Sequence, residues 1–168
     1  IVVPSTPYDA KGLLKSCIDD PNPVLYFEHK FMYRSIKGKV PENDYNIEIG
    51  KAKIVKKGTD LSVISYGMGI HWAIDIAKKV ERDNINLEVV DLRSLLPWDK
   101  ETVKQSVLKT NRVLILHEAN MTGGVGSEIS AYIAEHCFEY LDAPVVRVAS
   151  IDTPVPFASK IEKEIYLP

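Results

Sequence analysis

The sequence predicts an α/β protein whose mostly parallel sheet is sandwiched by helices. From residue 61 onward, short apolar runs typical of strands alternate with longer stretches of helical periodicity, and the connections between them are short. The run at 112–116 is almost entirely apolar, as expected of a strand that helices cover on both faces. Alternating strands and helices of this kind build largely parallel sheets.

Residues 1–38 predict a strand, a helix and a second strand. The opening Ile1-Val2-Val3-Pro4 run is typical of a buried strand, and Thr6 is a suitable N-cap for a helix that has Pro7 at its first position. The helix should stop at Asp20-Pro21-Asn22-Pro23, before a short buried strand at 24–27. The chain has no initiator Met and starts inside an apolar run, so we expect a fragment of a longer protein.

Residues 39–56 predict an extended linker with a short strand near its end, because Gly, Pro and Asn recur there. The remainder, 57–168, is then a second domain, in which Asp99 is placed to cap a helix. Its predicted strands lie at 61–65, 87–92, 112–116 and 145–148, and its predicted helices at 70–82, 99–109 and 125–140.

Charge and composition exclude several kinds of partner. The formal net charge is -2 and no basic stretch stands out, so we expect no nucleic acid and no anionic membrane surface as a partner. No apolar run approaches the ~20 residues that cross a bilayer. Cys17 and Cys137 lie in helical patterns and predict two buried thiols rather than a disulfide, which favours a reducing compartment such as the cytoplasm.

Three loops lie where open α/β sheets bind ligands, beyond the carboxyl ends of predicted strands: 66–71, 91–93 and 117–126. The third has glycines at 123, 124 and 126 ahead of a helix, which would let backbone N–H groups approach an anion. Their G-G-x-G spacing differs from the G-x-G-x-x-G of dinucleotide-binding loops, and the strand comes late in the domain. A tight turn is therefore favoured over a dinucleotide site.

The pair His117-Glu118 follows a predicted strand, where catalytic pairs often lie, and is the one weak catalytic candidate. A partner-facing or structural hydrogen-bonding role is the alternative, and the pattern alone favours it. The four histidines show no metal-ligand spacing, and no serine nucleophile elbow is present.

Five segments in order along the chain resemble the C-terminal half of the beta subunit of thiamine-diphosphate-dependent 2-oxo acid dehydrogenases. They read PYDAKGLL (7–14), NPVLYFE (22–28), VVDLRSLLPWD (89–99), HEA with TGG (117–119 and 122–124) and DTPVP (152–156). The resemblance runs almost end to end. Within the family, the PWD stretch and the HEA–TGG combination are most similar to the branched-chain (2-oxoisovalerate) type.

The resemblance implies a domain plan and a reaction. Residues 1–38 would be the remnant of a pyrimidine-binding domain, 39–56 a linker and 57–168 a transketolase-like C-terminal domain. The intact enzyme would use thiamine diphosphate and magnesium to decarboxylate a branched-chain 2-oxo acid and pass the acyl unit to a lipoyl group. Its implied partners are an alpha subunit or alpha-like half, a second beta subunit and the lipoyl acyltransferase core.

Within that enzyme, the resemblance assigns this stretch to subunit assembly and partner docking. The family's cofactor-activating acid and substrate histidine precede residue 1, so we expect no cofactor-binding residue here and no activity from this chain alone. The location implied is the bacterial cytoplasm or, in a eukaryote, the mitochondrial matrix. The alternatives are a pyruvate or acetoin dehydrogenase beta subunit, or a transketolase or deoxyxylulose phosphate synthase C-terminal domain acting as an interaction module.

One metal site is also implied by the resemblance: a structural potassium ion bound through the main-chain carbonyls of Cys17, Asp20 and Asn22. The end of a helix offers unpaired carbonyls at the negative end of its dipole, which suits a cation. An ordinary helix stop is the alternative.

Overall fold

A computed structural model describes residues 1–168, and its central feature is a five-stranded sheet. The strands are β1 (Lys53–Lys56), β2 (Leu61–Ser65), β3 (Leu87–Asp91), β4 (Val113–Asn120) and β5 (Val146–Ser150). Their order across the sheet is β1-β3-β2-β4-β5. All neighbours are parallel except β1, which pairs antiparallel with β3. The predicted fold class is confirmed.

Six α-helices accompany the sheet, and short turns of 3-10 helix extend two of them. The helices are α1 (Pro7–Asp19), α2 (Met32–Ser35), α3 (Met68–Val80), α4 (Lys100–Thr110), α5 (Val125–Cys137) and α6 (Ser159–Ile161). The 3-10 turns Glu81–Asp83 and Phe138–Tyr140 follow α3 and α5, and a π-helical turn, Glu162–Tyr166, follows α6. No helix has both the length and the apolar character needed to cross a membrane.

The predicted caps set the helix starts. Thr6 Oγ1 accepts a hydrogen bond from the backbone N–H of Asp9 at 3.1 Å, and Asp99 Oδ1 accepts one from Thr102 at 3.0 Å. Each bond satisfies one of the N–H groups that a helix start leaves unpaired. At the other end of α4, Asn111 adopts a left-handed conformation with φ 57° and closes the helix.

Alternation along the strands divides the apolar core between the two faces of the sheet. Val63, Val89 and Leu116 face α3, whereas Ile64, Val90 and Ile115 face α4 and α5. The α3 side is completed by Ile70, Ala73, Ala77 and Leu87; the other side by Leu92, Val103, Val107, Val113, Ile129, Ile133 and Cys137. Full burial of each large aliphatic side chain contributes about 1.5–3 kcal/mol, so both faces stabilise the sheet.

A polar chain crosses the second of these cores between the sheet and α4. The Ser62 hydroxyl lies 2.6 Å from that of Ser106 and 2.7 Å from that of Thr110. Ser106 in turn donates to Glu88 Oε1 at 2.7 Å, and Lys109 forms an ion pair with the other carboxylate oxygen. Glu88 is completely buried, so this chain of partners is what allows a carboxylate inside the core.

The N-terminal segment differs from its prediction. Val2 forms only isolated bridges, to Tyr26 and to Ser94, so neither 1–4 nor 24–27 is a regular strand. The second stretch is not buried either, because Leu25 is 58% and Phe27 54% exposed. A strand needs neighbours along its length to form a ladder, and apolar composition alone does not supply them.

Three further differences concern local structure. Cys17 is only partly buried rather than fully buried, while Cys137 is buried as expected. The helices α2 and α6 were not predicted from the sequence. β4 continues to Asn120 rather than ending at 116, which changes the surroundings of His117, whereas the short strand expected near the end of the linker is present as β1.

Candidate functional site

The carboxyl ends of β2 and β4 form the place where a ligand of this fold class would be expected. β2 lies between β3 and β4 in the sheet. The chain passes from β2 through α3 to β3 on one side, and then through α4, on the opposite face, to β4 on the other side; this reversal of strand order opens a crevice in doubly wound folds. Tyr66 follows β2, and His117 lies in β4. Their rings are stacked, with centroids 6.3 Å apart and planes inclined by 16°.

The His117 side chain is completely buried beside this crevice. Its Nδ1 lies 3.0 Å from the carbonyl oxygen of Ala119, so Nδ1–H is the donor in the tautomer that this bond assigns. Nε2 is buried and has no hydrogen-bond partner. Burial lowers the pKa of His117, against the opposing effect of the Ala119 bond. Burial therefore favours the neutral form of the ring.

The glycines of the 117–126 loop make room for this ring. A Cβ atom at Gly124 would lie 2.7 Å from His117 Cε1, and one at Gly126 would lie 2.5 Å from His117 Nε2. Gly123 has φ +73° and open space around it, so it serves the turn itself. An imidazole ring fills the space above the start of α5, which supports the tight-turn interpretation over an anion-binding loop.

Glu118 points away from His117, because successive side chains of a strand alternate between its two faces. Its partner is His29 of the N-terminal segment, whose Nε2 donates to Glu118 Oε2 at 2.9 Å and lies 3.2 Å from Oε1. Both side chains are about one-third exposed, at 29% and 35%. The predicted pair is therefore split, and His29, which no sequence pattern singled out, joins Glu118 instead.

Residues 91–93, at the carboxyl end of β3, carry a second set of charges. Arg93 adopts φ +55°, and its guanidinium donates to Asp9 Oδ1 of α1 at 3.2 Å. Asp91 is buried, with Oδ1 accepting from the Arg93 backbone N–H at 3.1 Å and Oδ2 without a partner. Burial raises the pKa of Asp91 to about 7, and the negative charge of Asp9 acts in the same direction, against the opposing effects of the nearby Ser5 hydroxyl and of Arg93.

Hydrogen bonds hold the glycine loop against the end of β5. Asp152 accepts from the backbone N–H of Thr122 at 2.9 Å and from its hydroxyl at 2.7 Å, and these two bonds lower the pKa of Asp152. Arg147 donates to Ser127 Oγ at 2.6 Å and to the Met121 carbonyl at 3.1 Å. The buried imidazole and the hydrogen-bonded loop together shape this edge of the sheet.

The end of α1 presents backbone carbonyl groups that a cation could use. No hydrogen bond reaches the carbonyl oxygens of Cys17, Asp20 or Asn22, and Pro21 has no N–H to offer the first of them. The Asp20 side chain is engaged separately, since Oδ1 accepts from the Asn22 backbone N–H at 2.8 Å and from its amide at 3.0 Å. Three free carbonyls suit a hard cation. No cluster of three or more His, Cys, Asp or Glu side chains is arranged to hold a metal.

Comparison with known proteins places this geometry in a family. Residues 50–168 match the family model described as the transketolase C-terminal domain. Over 164 residues the chain is 49% identical to the 2-oxoisovalerate dehydrogenase subunit beta of Bacillus subtilis (strain 168), covering 97% of this chain and 50% of that protein. It is 45% identical to the pyruvate dehydrogenase E1 component subunit beta of the same organism, covering 100% of this chain and 51% of that protein.

A solved structure agrees with these relatives. A chain described as a split gene transketolase, inactive beta4 tetramer, superposes with a TM-score of 0.78 at 27% identity, over 96% of this chain and 51% of that one. This chain thus spans about half the length of the proteins it matches. The family match covers the whole sheet and the loops at its carboxyl edge, and on that ground the chain belongs to the transketolase C-terminal domain family.

Proposed function

We propose that this chain is part of the beta subunit of a 2-oxo acid dehydrogenase, of the branched-chain type. The observation that carries the proposal is the 49% identity to a 2-oxoisovalerate dehydrogenase beta subunit along 97% of the chain. The intact enzyme would decarboxylate a branched-chain 2-oxo acid and pass the acyl unit to a lipoyl acceptor, in the bacterial cytoplasm or the mitochondrial matrix. Thiamine diphosphate, held with magnesium elsewhere in the enzyme, would supply the electron sink for the loss of carbon dioxide.

The role proposed for this stretch is assembly and docking rather than chemistry. His117 is neutral, and its ring is enclosed by two glycines and Tyr66, so it has no route to a reacting atom. Glu118 is paired with His29, and Asp152 is paired with Thr122. A general acid or base must lie within hydrogen-bonding reach of the substrate, and none of these groups is free to do so. We therefore expect the 168-residue chain alone to be inactive.

The partners proposed are an alpha subunit or alpha-like half, a second beta subunit and the lipoyl acyltransferase core. The solved relative is described as a beta4 tetramer, which supports self-association of beta chains of this fold. Residues 1–38 are proposed as the end of a pyrimidine-binding domain, 39–56 as the linker and 57–168 as the C-terminal domain.

The potassium site at Cys17, Asp20 and Asn22 also belongs to this proposal. Its support is the set of three carbonyl oxygens without donors at the end of α1. Thermal unfolding in potassium chloride and in choline chloride at equal ionic strength tests the site. A higher unfolding temperature in potassium supports it, because an ion that binds only the folded chain stabilises that chain; equal temperatures contradict it.

The function is tested by kinetics on the beta subunit from which this sequence comes, purified with an alpha subunit, thiamine diphosphate and magnesium. Under the proposal, 3-methyl-2-oxobutanoate is decarboxylated with a higher kcat/KM than pyruvate. A preference for pyruvate would favour the pyruvate dehydrogenase alternative, which is supported by the 45% identity to such a subunit. Turnover of either substrate by the 168-residue chain alone would contradict the assembly role.

A further inference from the structure

A buried cluster of charges joins the N-terminal segment to the sheet. Asp9 of α1 and Asp91 at the end of β3 are both inaccessible to solvent. Arg93 contacts both, with its guanidinium donating to Asp9 at 3.2 Å and its backbone N–H donating to Asp91 at 3.1 Å. Two buried carboxylates therefore depend on one guanidinium for their charge balance. We call these three residues the junction cluster.

No other cation balances the second carboxylate. Lys53 of β1 is paired with Asp91 in the sheet, but its ammonium lies over the Tyr8 ring, 5.6 Å from the centroid. On the α3 side, His71 Nε2 donates to the Ser5 carbonyl at 2.7 Å and makes no bond to Asp91. β2 contributes Ser65 opposite Asp91, which carries no charge. The Ser5 hydroxyl is near enough to Asp91 to lower the pKa of that carboxyl group, but neither the hydroxyl nor Asp91 Oδ2 forms a hydrogen bond of good geometry.

With one bound proton, the two carboxyl groups and the guanidinium of the junction cluster have no net charge. An ionised carboxylate with an unpaired buried oxygen is costly, whereas a protonated one loses its charge and gains a donor. Burial raises the pKa of Asp91 to about 7, while a solvated aspartate titrates near 3.9. The proton is therefore held more tightly when the segment is docked than when the carboxyl group is exposed to water.

We propose that the junction cluster is a proton-sensitive latch, which fastens the N-terminal segment to the sheet while protonated and loosens it as the pH rises. The junction cluster lies beside backbone hydrogen bonds that join residues 1–3 to residues 93–95. The Val3 N–H donates to the Arg93 carbonyl at 2.8 Å, and the Leu95 N–H donates to the Ile1 carbonyl at 2.8 Å. These bonds hold residues 1–3 beside the end of β3.

The direction of the effect follows from proton linkage. The docked state binds the proton with the higher pKa, so the extra stability is complete below about pH 4 and declines as the pH rises towards 7. With docked and exposed pKa values of about 7 and 3.9, the equilibrium constant for release rises about tenfold between pH 6 and pH 8.

Hydrogen exchange measured by mass spectrometry on the full chain tests the latch. Protection is normalised to the intrinsic exchange rates at each pH, and peptides from 1–19 are compared with peptides from β2 and β4. We expect protection of 1–19 to fall about tenfold from pH 6 to pH 8, while the strands keep theirs. Asp91→Asn should abolish this dependence, because its amide keeps the acceptor for Arg93 and does not titrate.

Asp142→Asn is the matched control, since Asp142 is exposed and lies 3.7 Å from Arg112; it should leave the dependence unchanged. Asp9→Asn provides a second variant if the first does not fold. Removing the neighbouring negative charge and freeing the guanidinium both favour ionised Asp91, so the loss of protection should begin at lower pH. A flat profile in the unmodified chain, an unchanged profile in Asp91→Asn, or equal loss in segment and strands would each overturn the latch.

Discussion

Gly126→Ala tests whether the glycine loop exists to hold the His117 ring. The added Cβ would lie 2.5 Å from His117 Nε2, 2.7 Å from Cδ2 and 3.2 Å from Ile115 Cγ2. Overpacking of this kind costs about 1–3 kcal/mol, while replacing glycine inside a helix regains up to about 1 kcal/mol. With the helix gain counted in full, we expect a net loss of about 0–2 kcal/mol in the free energy of unfolding, measured by urea denaturation.

A double-mutant cycle isolates the contact with the ring. In a His117→Ala background the imidazole is gone, so Gly126→Ala should cost nothing or stabilise the chain slightly. Coupling of about 1–3 kcal/mol between the two positions is expected. Gly38→Ala is the control, since its nearest contact is Pro7 Cδ at an ordinary 3.4 Å. An equal cost of Gly126→Ala with and without the imidazole would refute the reasoning.

Three further substitutions test the capping, the packing and the surface ion pair. Asp99→Ala should lower the free energy of unfolding by about 1–2 kcal/mol because it removes the cap of α4. Burial raises the pKa of Asp99, but hydrogen bonds from Thr102 and Ala52 outweigh it and lower that pKa. The cap's stabilisation should therefore be lost as the pH falls below about 4 in the unmodified chain, whereas Asp99→Ala should show no such loss. Ile129→Ala should cost about 2–5 kcal/mol, since the side chain is fully buried. Glu118→Gln should cost under about 1 kcal/mol, and the difference should shrink in high salt, because this pair is partly exposed.

The sequence predicted the sheet well where local pattern and tertiary packing agree. The strand at Leu61–Ser65 follows from a short, mostly apolar run between turn residues, and the Asp99 cap follows from the side chain's own hydrogen bond; both are local effects. The prediction was wrong at 24–27, where an apolar run has no neighbouring ladder and leaves Leu25 and Phe27 exposed. Strand formation there depends on partners distant in sequence, and composition does not report them.

The candidate site was harder to predict for the same reason. His117 and Glu118 are adjacent in sequence, yet the pleat sends them to opposite faces, and β4 extends past both of them. The partner of Glu118 lies 89 positions away at His29, with no spacing motif to connect them. The junction of Asp9 and Arg93 spans 84 positions in the same way. Long-range pairs of this kind arise from topology, which the periodicity of a single segment does not encode.

The polar chain from Ser62 through Ser106 to Glu88 has a consequence for how α4 settles during folding. A shift of α4 along its axis by one turn, about 5.4 Å, would keep much of its apolar packing but would separate the buried Glu88 carboxylate from its hydrogen-bond partners. We expect the cost of an unpaired buried carboxylate to exclude shifted packings of α4 that apolar contacts alone would allow. We expect replacement of these polar residues by aliphatic ones to give a more stable protein in which α4 packs in more than one register.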